Sequence, residues 1–417
     1  MIIFKAAPRA GMASLAILLG ACTSAVQPVL QVTPVVNPRP SLQDSLITAL
    51  PTAVGFSATL NSQLDSIIST GIREGAAPGA TVAIGRHGRL VHLAAYGKMA
   101  QTDSSPVSIS TLYDMASLTK VVATSTAAMI LEEEGKLDLN RTVVSYLPEF
   151  NAPDKSGITI RMLLTHRGGL EAFAPLYRTF RGREQYLQQI NTRPLKYVPG
   201  TQAIYSDWEM MLMQFVIERI TGTTLDQFVA ARVFGPLGMT STLFNPDSAM
   251  RQRIAPTEFD STRGGVVRGF VHDENAWALG GVSGHAGLFS TAPDLAIFAQ
   301  MLLNGGTYKG VRILKPSTIS RWTARQDAGS SRAYGWDTPS GQSSAGHYFA
   351  ARSFGHTGFT GTSIWIDPER NLFVILLTNR VNETRQNNRH VPLRRDVADA
   401  VQKSITDAPL IDWEVRQ

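Results

Sequence analysis

The apolar positions of the chain change spacing several times, and each change predicts an element. Over 57–70 they recur at helical intervals, with Leu60, Leu64, Ile67 and Ile68 on one side, the pattern of an amphipathic helix. Two apolar runs, 80–84 and 90–95, then flank Gly85-Arg86-His87-Gly88, a hairpin signature. Good helix formers fill 118–134, with no Pro or Gly before Gly135. Helical stretches dominate to about Gly235 and include an apolar-rich helix over 208–220. Ser290-Thr291-Ala292-Pro293-Asp294 reads as the cap of a helix over 295–303. The last third turns back to strands. Runs 362–367 and 372–378 form a hairpin across Pro368-Glu369-Arg370-Asn371, and a helix over 392–404 closes the domain.

This order predicts an α+β fold. The two ends of the chain meet in one antiparallel sheet flanked by the N- and C-terminal helices. The insert, about 118–275, forms a mostly helical second lobe, and a cleft lies between the two. The globular domain spans 56–405, followed by a tail over 406–417.

What precedes residue 56 reads differently. Lys5 and Arg9 lead into a short apolar run over 10–19, too short to span a membrane, which ends in Leu19-Gly20-Ala21-Cys22. Residues 1–22 therefore read as a bacterial lipoprotein signal, with Cys22 lipidated as the mature N-terminus; an ordinary signal peptide with an incidental cysteine is the alternative. Residues 23–55, with five prolines among Gln, Thr, Ser and Val, read as an extended tether. An exported lipoprotein facing the periplasm or the cell surface is the expected location.

Composition mainly excludes. Cys22 is the single cysteine, so there is no internal disulfide and no cysteine-based metal site. The formal net charge of +6 is spread along the chain, which argues against a nucleic-acid partner. No zinc or phosphate-loop spacing occurs, and no cofactor is expected.

Candidate chemistry starts at Ser117 and Lys120, three apart at the start of a helical run. Residues so spaced share a helix face. A lysine there can activate a serine, and a helix N-terminus offers free N–H groups to an oxyanion. By itself the pair equally describes a helix start with a surface lysine. Yet no other lysine in the chain has a serine three positions before it. Tyr205-Ser206-Asp207 stands where a loop enters a helix, and Tyr205 is the only tyrosine with Asp or Asn two positions on. Ser206 or Asp207 also reads as an N-cap there. His166, in Thr165-His166-Arg167-Gly168-Gly169-Leu170, is read as bracing a turn. His272, Asp273 and Glu274 could ligate a hard cation, but their spacing matches no cage, and they are read as shaping the cleft rim.

Together, Ser117-x-x-Lys120, Tyr205-x-Asp207 and His356-Thr357-Gly358 resemble the three motifs of the serine β-lactamase and penicillin-binding superfamily. The tyrosine in the second motif is similar to its branch of class C β-lactamases, D,D-peptidases and esterases. The resemblance covers nearly the whole globular region. It implies Ser117 as acyl-enzyme nucleophile, with Lys120 and Tyr205 sharing the proton traffic. It implies the backbone N–H groups of Ser117 and Phe359 as oxyanion hole. Asp207, His356, Thr357 and Gly358 would contact substrate, and the third-motif strand would pair with substrate main chain.

Two departures qualify that expectation. His356 stands where many β-lactamases have Lys, which weakens the grip on a β-lactam carboxylate at neutral pH. Asp207 stands where Asn is usual; a carboxylate there favours protonated Lys120 and shifts the base role towards Tyr205. A hydrolase of peptidoglycan-derived D-amino-acid peptides or muramyl-peptide amides, D-alanyl-D-alanine carboxypeptidase-like, is therefore expected, with β-lactams as further ligands. The alternative is a carboxylesterase or weak class C-like β-lactamase. A non-catalytic envelope binding protein would show loss of a motif residue, and Ser117, Lys120 and Tyr205 are all present.

Overall fold

The computed structural model describes residues 46–411 apart from residue 342. The signal segment, Cys22 and most of the tether lie outside the described residues, as do residues 412–417.

The main sheet has seven strands: β1 (Ile47–Thr48), β2 (Gly79–Arg86), β3 (Arg89–Ala100), β4 (Asp103–Pro106), β5 (Phe354–Thr357), β6 (Ser363–Asp367) and β7 (Leu372–Thr378). Their order is β1-β3-β2-β7-β6-β5, with β4 paired to β3. The β2–β3 turn is two residues long, because Arg86 pairs with Arg89. Both turn residues, His87 (φ 51°) and Gly88 (φ 76°), are left-handed, the backbone twist a tight hairpin requires. The two ends of the chain join where β7 pairs antiparallel with β2, from Leu372 opposite Arg86 to Thr378 opposite Ala80.

Alternation along these strands sends side chains to two cores. Val82, Ile84, Trp365, Val374 and Leu376 face one side, where they pack with α1 (Leu60–Arg73) and the C-terminal helix α5 (His390–Lys403). Leu60, Leu64 and Ile68 of α1 and Val397 and Val401 of α5 are fully buried there. Each such side chain contributes roughly 1.5–3 kcal/mol of hydrophobic stabilisation. Ala83, Ile364, Ile366, Phe373, Ile375 and Leu377 face the opposite way, into the larger core shared with the helical lobe. Helix α4 (Ala292–Leu303) packs against β2 and β7 on that side. Its N-cap Thr291 accepts from the Asp294 amide. The Asp294 carboxylate turns away to Ser241 and Thr242.

Two details differ from the sequence expectation. The sheet is mixed, because β1 pairs parallel with β3. And residues 46–55, read above as the end of the tether, are docked on the domain. Buried Arg86 donates to the carbonyl of Val54 (2.7 Å) and pairs with Asp407 (2.7 Å), and Val54 and Phe56 enter the α1 core. The arginine on β2 thus supplies contacts that a local pattern of prolines cannot reveal.

Candidate active site

Ser117 begins the helical run that carries Lys120. Ala116, just before it, is left-handed (φ 45°), an uncommon conformation for a residue with a Cβ, and its amide is held by Asp114 (2.8 Å). The run is not a regular helix. Leu118 and Thr119 are α-helical, Lys120–Ser125 is π-helical, and Thr126–Glu133 (α2) is α-helical again. Wide turns of this kind concentrate at functional sites. Here the π turn contains Lys120 and Thr124, whose hydroxyl donates to the carbonyl of Gly284 (2.7 Å).

The Lys120 side chain is fully buried. Its ammonium has three protons and three acceptors: Ser117 Oγ (2.9 Å), Asp207 Oδ1 (2.7 Å) and the carbonyl of His285 (3.2 Å). Burial by itself lowers the lysine pKa, but the Asp207 carboxylate and then Tyr205 outweigh it and leave it above the ordinary value. Lys120 Nζ also lies 4.7 Å from the Tyr205 ring centroid. Lys120 is thus held as a cation, donating to the serine oxygen rather than accepting its proton.

Tyr205 and Asp207 are placed by α3 (Asp207–Thr221), with Asp207 in its first turn, where a carboxylate complements the helix dipole. Ser206 occupies the cap position without capping; its hydroxyl donates to the Glu171 carbonyl (2.6 Å). Beneath Tyr205 the turn read from the sequence is indeed braced by His166. The His166 ring is buried 4.6 Å from the tyrosine ring, and its carbonyl accepts from the Ile204 amide (2.9 Å). Its Nδ1 meets Glu209 Oε2 at 3.0 Å. Burial pushes the Glu209 carboxyl well up, and burial with the nearby Arg332 and Lys120 pushes His166 well down, so each is biased towards its uncharged form.

The third motif lies on the edge strand β5. His356 is buried, donates from Nδ1 to the Thr357 carbonyl (2.8 Å) and stands 5.9 Å from the Tyr205 ring. Burial first, then Arg332 and Lys120, depress its pKa well below the ordinary value. It therefore carries no charge at neutral pH. Thr357 is half-buried at the strand end, and Gly358 leads into the turn that ends at Thr362. That turn is stapled to the serine segment: Thr360 Oγ1 donates to the Asp114 carbonyl (2.7 Å) and Thr362 Oγ1 to that of Met115 (3.1 Å). A Cβ on Gly358 would stand 2.4 Å from the Met115 carbonyl oxygen, so glycine permits this approach. Among the described residues, neither the Ser117 nor the Phe359 amide has a protein acceptor.

Ser117, Tyr205, Asp207 and Phe359 line one cavity of about 310 Å³. His272, Asp273 and Glu274 line it as well, each engaged by protein: His272 with Glu258 (3.0 Å), Asp273 with His285 (2.9 Å), Glu274 with Arg385 (2.7 Å). The ligand-capable atoms of Asp207, Asp273 and His285 all lie within 4.8 Å of one another. Lys120 occupies the first, and the other two pair together, so the cluster is already internally satisfied. The sequence reading missed Arg332, whose guanidinium carbon is 5.1 Å from the Tyr205 ring centroid. Its remoteness from any motif left no local signal.

Comparison with known proteins follows the same lines. The β-lactamase family model matches residues 64–399. A protein of Escherichia coli K12 with the provisional name D-alanyl-D-alanine carboxypeptidase is 35% identical, over 80% of this chain and 86% of the relative. A Salmonella typhimurium LT2 protein of the same name is equally similar, at 35% over the same shares. Among solved structures, EstCE1, described as a hydrolase with promiscuous acyltransferase activity, superposes with a TM-score of 0.67 at 23% identity, over 82% of this chain and 98% of that one. A β-lactamase/D-alanine carboxypeptidase from Pseudomonas syringae gives 0.67 at 20% identity, over 82% and 99%. The chain belongs to the β-lactamase and penicillin-binding protein family of serine hydrolases.

Proposed function

We propose that the protein hydrolyses D-amino-acid peptide or muramyl-peptide amide bonds of the cell envelope, in the manner of a D,D-carboxypeptidase, through an acyl-enzyme on Ser117. The observation that carries this reading is the fully satisfied Lys120 ammonium on Ser117 Oγ. With Lys120 a fixed cation, Tyr205 acts as the phenolate and takes the serine proton as Oγ bonds to the substrate carbonyl carbon. The negative charge of that phenolate, present before the transfer and again after the amine has taken the proton, faces Lys120. The carbonyl oxygen becomes an oxyanion received by the Ser117 and Phe359 amides. The tetrahedral intermediate collapses as the C–N bond breaks, and the departing amine takes the proton back from Tyr205. Water, deprotonated by the regenerated phenolate, then cleaves the ester, and the phenol returns that proton to Ser117 Oγ.

A C-terminal D-alanine presents a carboxylate that requires a cation. Neutral His356 does not supply one. The Arg332 guanidinium, beside both His356 and Tyr205, is the group we assign to it. The provisional carboxypeptidase name of the relatives supports the same substrate class. One observation favours the ester reading: Phe173 and Phe359, about half exposed at 50% and 48%, line the cavity and offer an apolar seat for an acyl chain.

The test is intact mass of the purified domain mixed in turn with a D-alanyl-D-alanine-terminated peptide, benzylpenicillin and a series of p-nitrophenyl esters. Turnover of the peptide, with adducts that vanish in Ser117→Ala, supports the proposal. Turnover of esters alone would replace it with the esterase reading. For location, we propose a lipid anchor at Cys22; Cys22→Ser should move the protein out of the membrane fraction, and persistence there would refute the anchor.

A further inference from the structure

Two arginines grip the back of the turn that presents Phe359. Arg394, on α5, is buried and donates from one Nη2 to the carbonyls of Gly358 (2.7 Å) and Thr362 (2.8 Å). Arg380 donates from Nε to the carbonyl of Phe359 (2.7 Å), and its guanidinium carbon lies 4.3 Å from the Phe359 ring centroid. Among the described residues no carboxylate pairs with Arg394. Burial, then Arg380, lower its pKa to about 9, which leaves it a cation at neutral pH. A buried cation without a carboxylate is costly and calls for a reason.

The Gly358 carbonyl and the Phe359 N–H belong to the same peptide group. A cation bonded to the oxygen of an amide draws electron density towards it and makes the N–H a stronger donor, and hydrogen bonds in series reinforce one another in a medium of low polarity. We infer that Arg394 is a positioning residue for acyl transfer: it fixes and polarises the Gly358–Phe359 peptide so that the Phe359 N–H binds the oxyanion better than it binds a neutral carbonyl. Arg380 holds the next carbonyl and adds positive charge behind the same turn. The inference rests on the proposed oxyanion role of Phe359. It goes beyond that role by assigning its strength to a helix on the opposite side of the sheet turn from the substrate. Because the effect grows with charge on the substrate oxygen, Arg394 acts on the transition state and little on ground-state binding.

The experiment compares wild type with Arg394→Met and Arg394→Lys. Three quantities are measured: kcat/KM on a p-nitrophenyl ester, affinity for an arylboronic acid that forms a tetrahedral anion on Ser117, and affinity for the non-covalent product acid. Removing a whole oxyanion donor costs about 10²–10³ in rate, so losing its polarisation should cost about tenfold. Arg394→Met should lose that factor in kcat/KM and in boronate affinity together, with product binding unchanged, and Arg394→Lys should recover most of it. Equal losses for boronate and product, or no loss for boronate, would overturn the inference. Should Arg394→Met not fold, Arg394→Gln takes its place under the same criteria. The Phe359 amide proton, followed by NMR in wild type, separates the two layers. No response to boronate there removes the oxyanion role itself. A response identical in wild type and the arginine variant removes the inference alone.

Discussion

Replacing Asp207 by Asn probes the charge balance at the centre of the site. Lys120 Nζ and Asp207 Oδ1 are 2.7 Å apart, and at an effective dielectric of about 20 their attraction amounts to about 6 kcal/mol. Asn keeps the shape and one hydrogen bond, worth about 1 kcal/mol, but not the charge. Removing one partner of a buried ion pair costs about 3–5 kcal/mol. In practice a buried lysine avoids much of that cost by releasing its proton at lower pH, and 3 kcal/mol corresponds to about two pH units. The sign follows from the raised lysine pKa: the pair stabilises the protein below the ordinary lysine value, and that contribution disappears as pH rises through the raised one. Asp207→Asn should therefore stay active near neutrality, while the alkaline limb of its kcat/KM profile moves down by about two units. A stopped-flow ester assay between pH 5 and 11, with melting temperatures at each pH, measures this. An alkaline limb at the same pH in both proteins would refute the claim that Asp207 keeps Lys120 charged.

Other consequences are direct. Tyr205→Phe should slow acylation by at least about a hundredfold, the usual contribution of a general acid–base group, measured as the burst rate with an ester. Gly358→Ala places a Cβ 2.1 Å from Thr362 Oγ1, so the turn must move away from Ser117. We expect a loss of about 1–3 kcal/mol in urea unfolding and at least about a tenfold fall in activity. Buried His390 is lowered to about 3, by burial first and then by Arg394 and Arg380. A depressed histidine leaves stability intact above its unfolded value near 6.5, and that stability drains as pH falls from there towards 3. His390→Gln should flatten the drop in melting temperature between pH 7 and 4. Arg332→Met should raise KM for carboxylate-terminated peptides and leave ester hydrolysis unchanged.

The outer sheet and its two helices were legible because their side chains follow simple periods. Leu60, Leu64 and Ile68 recur every turn, and Phe373, Ile375 and Leu377 alternate with Val374 and Leu376. The motif residues were legible as spacings: three positions from Ser117 to Lys120, two from Tyr205 to Asp207. What the spacing concealed is long-range. A helix pattern over 118–134 gives no sign that Lys120–Ser125 widens into a π turn, nor of the long-range partners its side chains meet there, Asp207 and His285 for Lys120 and Gly284 for Thr124. Arg394 reads as an ordinary residue of an amphipathic helix. Only the fold shows that it turns inward to the Gly358 carbonyl.

The pairing of β2 with β7 joins residues nearly three hundred positions apart. Such a closure comes late on the folding route, since distant segments must meet before the sheet rewards them. A growing chain that already holds Ser117, Lys120 and Tyr205 still lacks the turn that brings the Phe359 amide opposite the serine. Where the Phe359 amide serves as the oxyanion donor, the site is complete only once about the last sixth of the polypeptide has docked beside its first hairpin. A chain cut short before residue 354 should carry a serine and no reactivity.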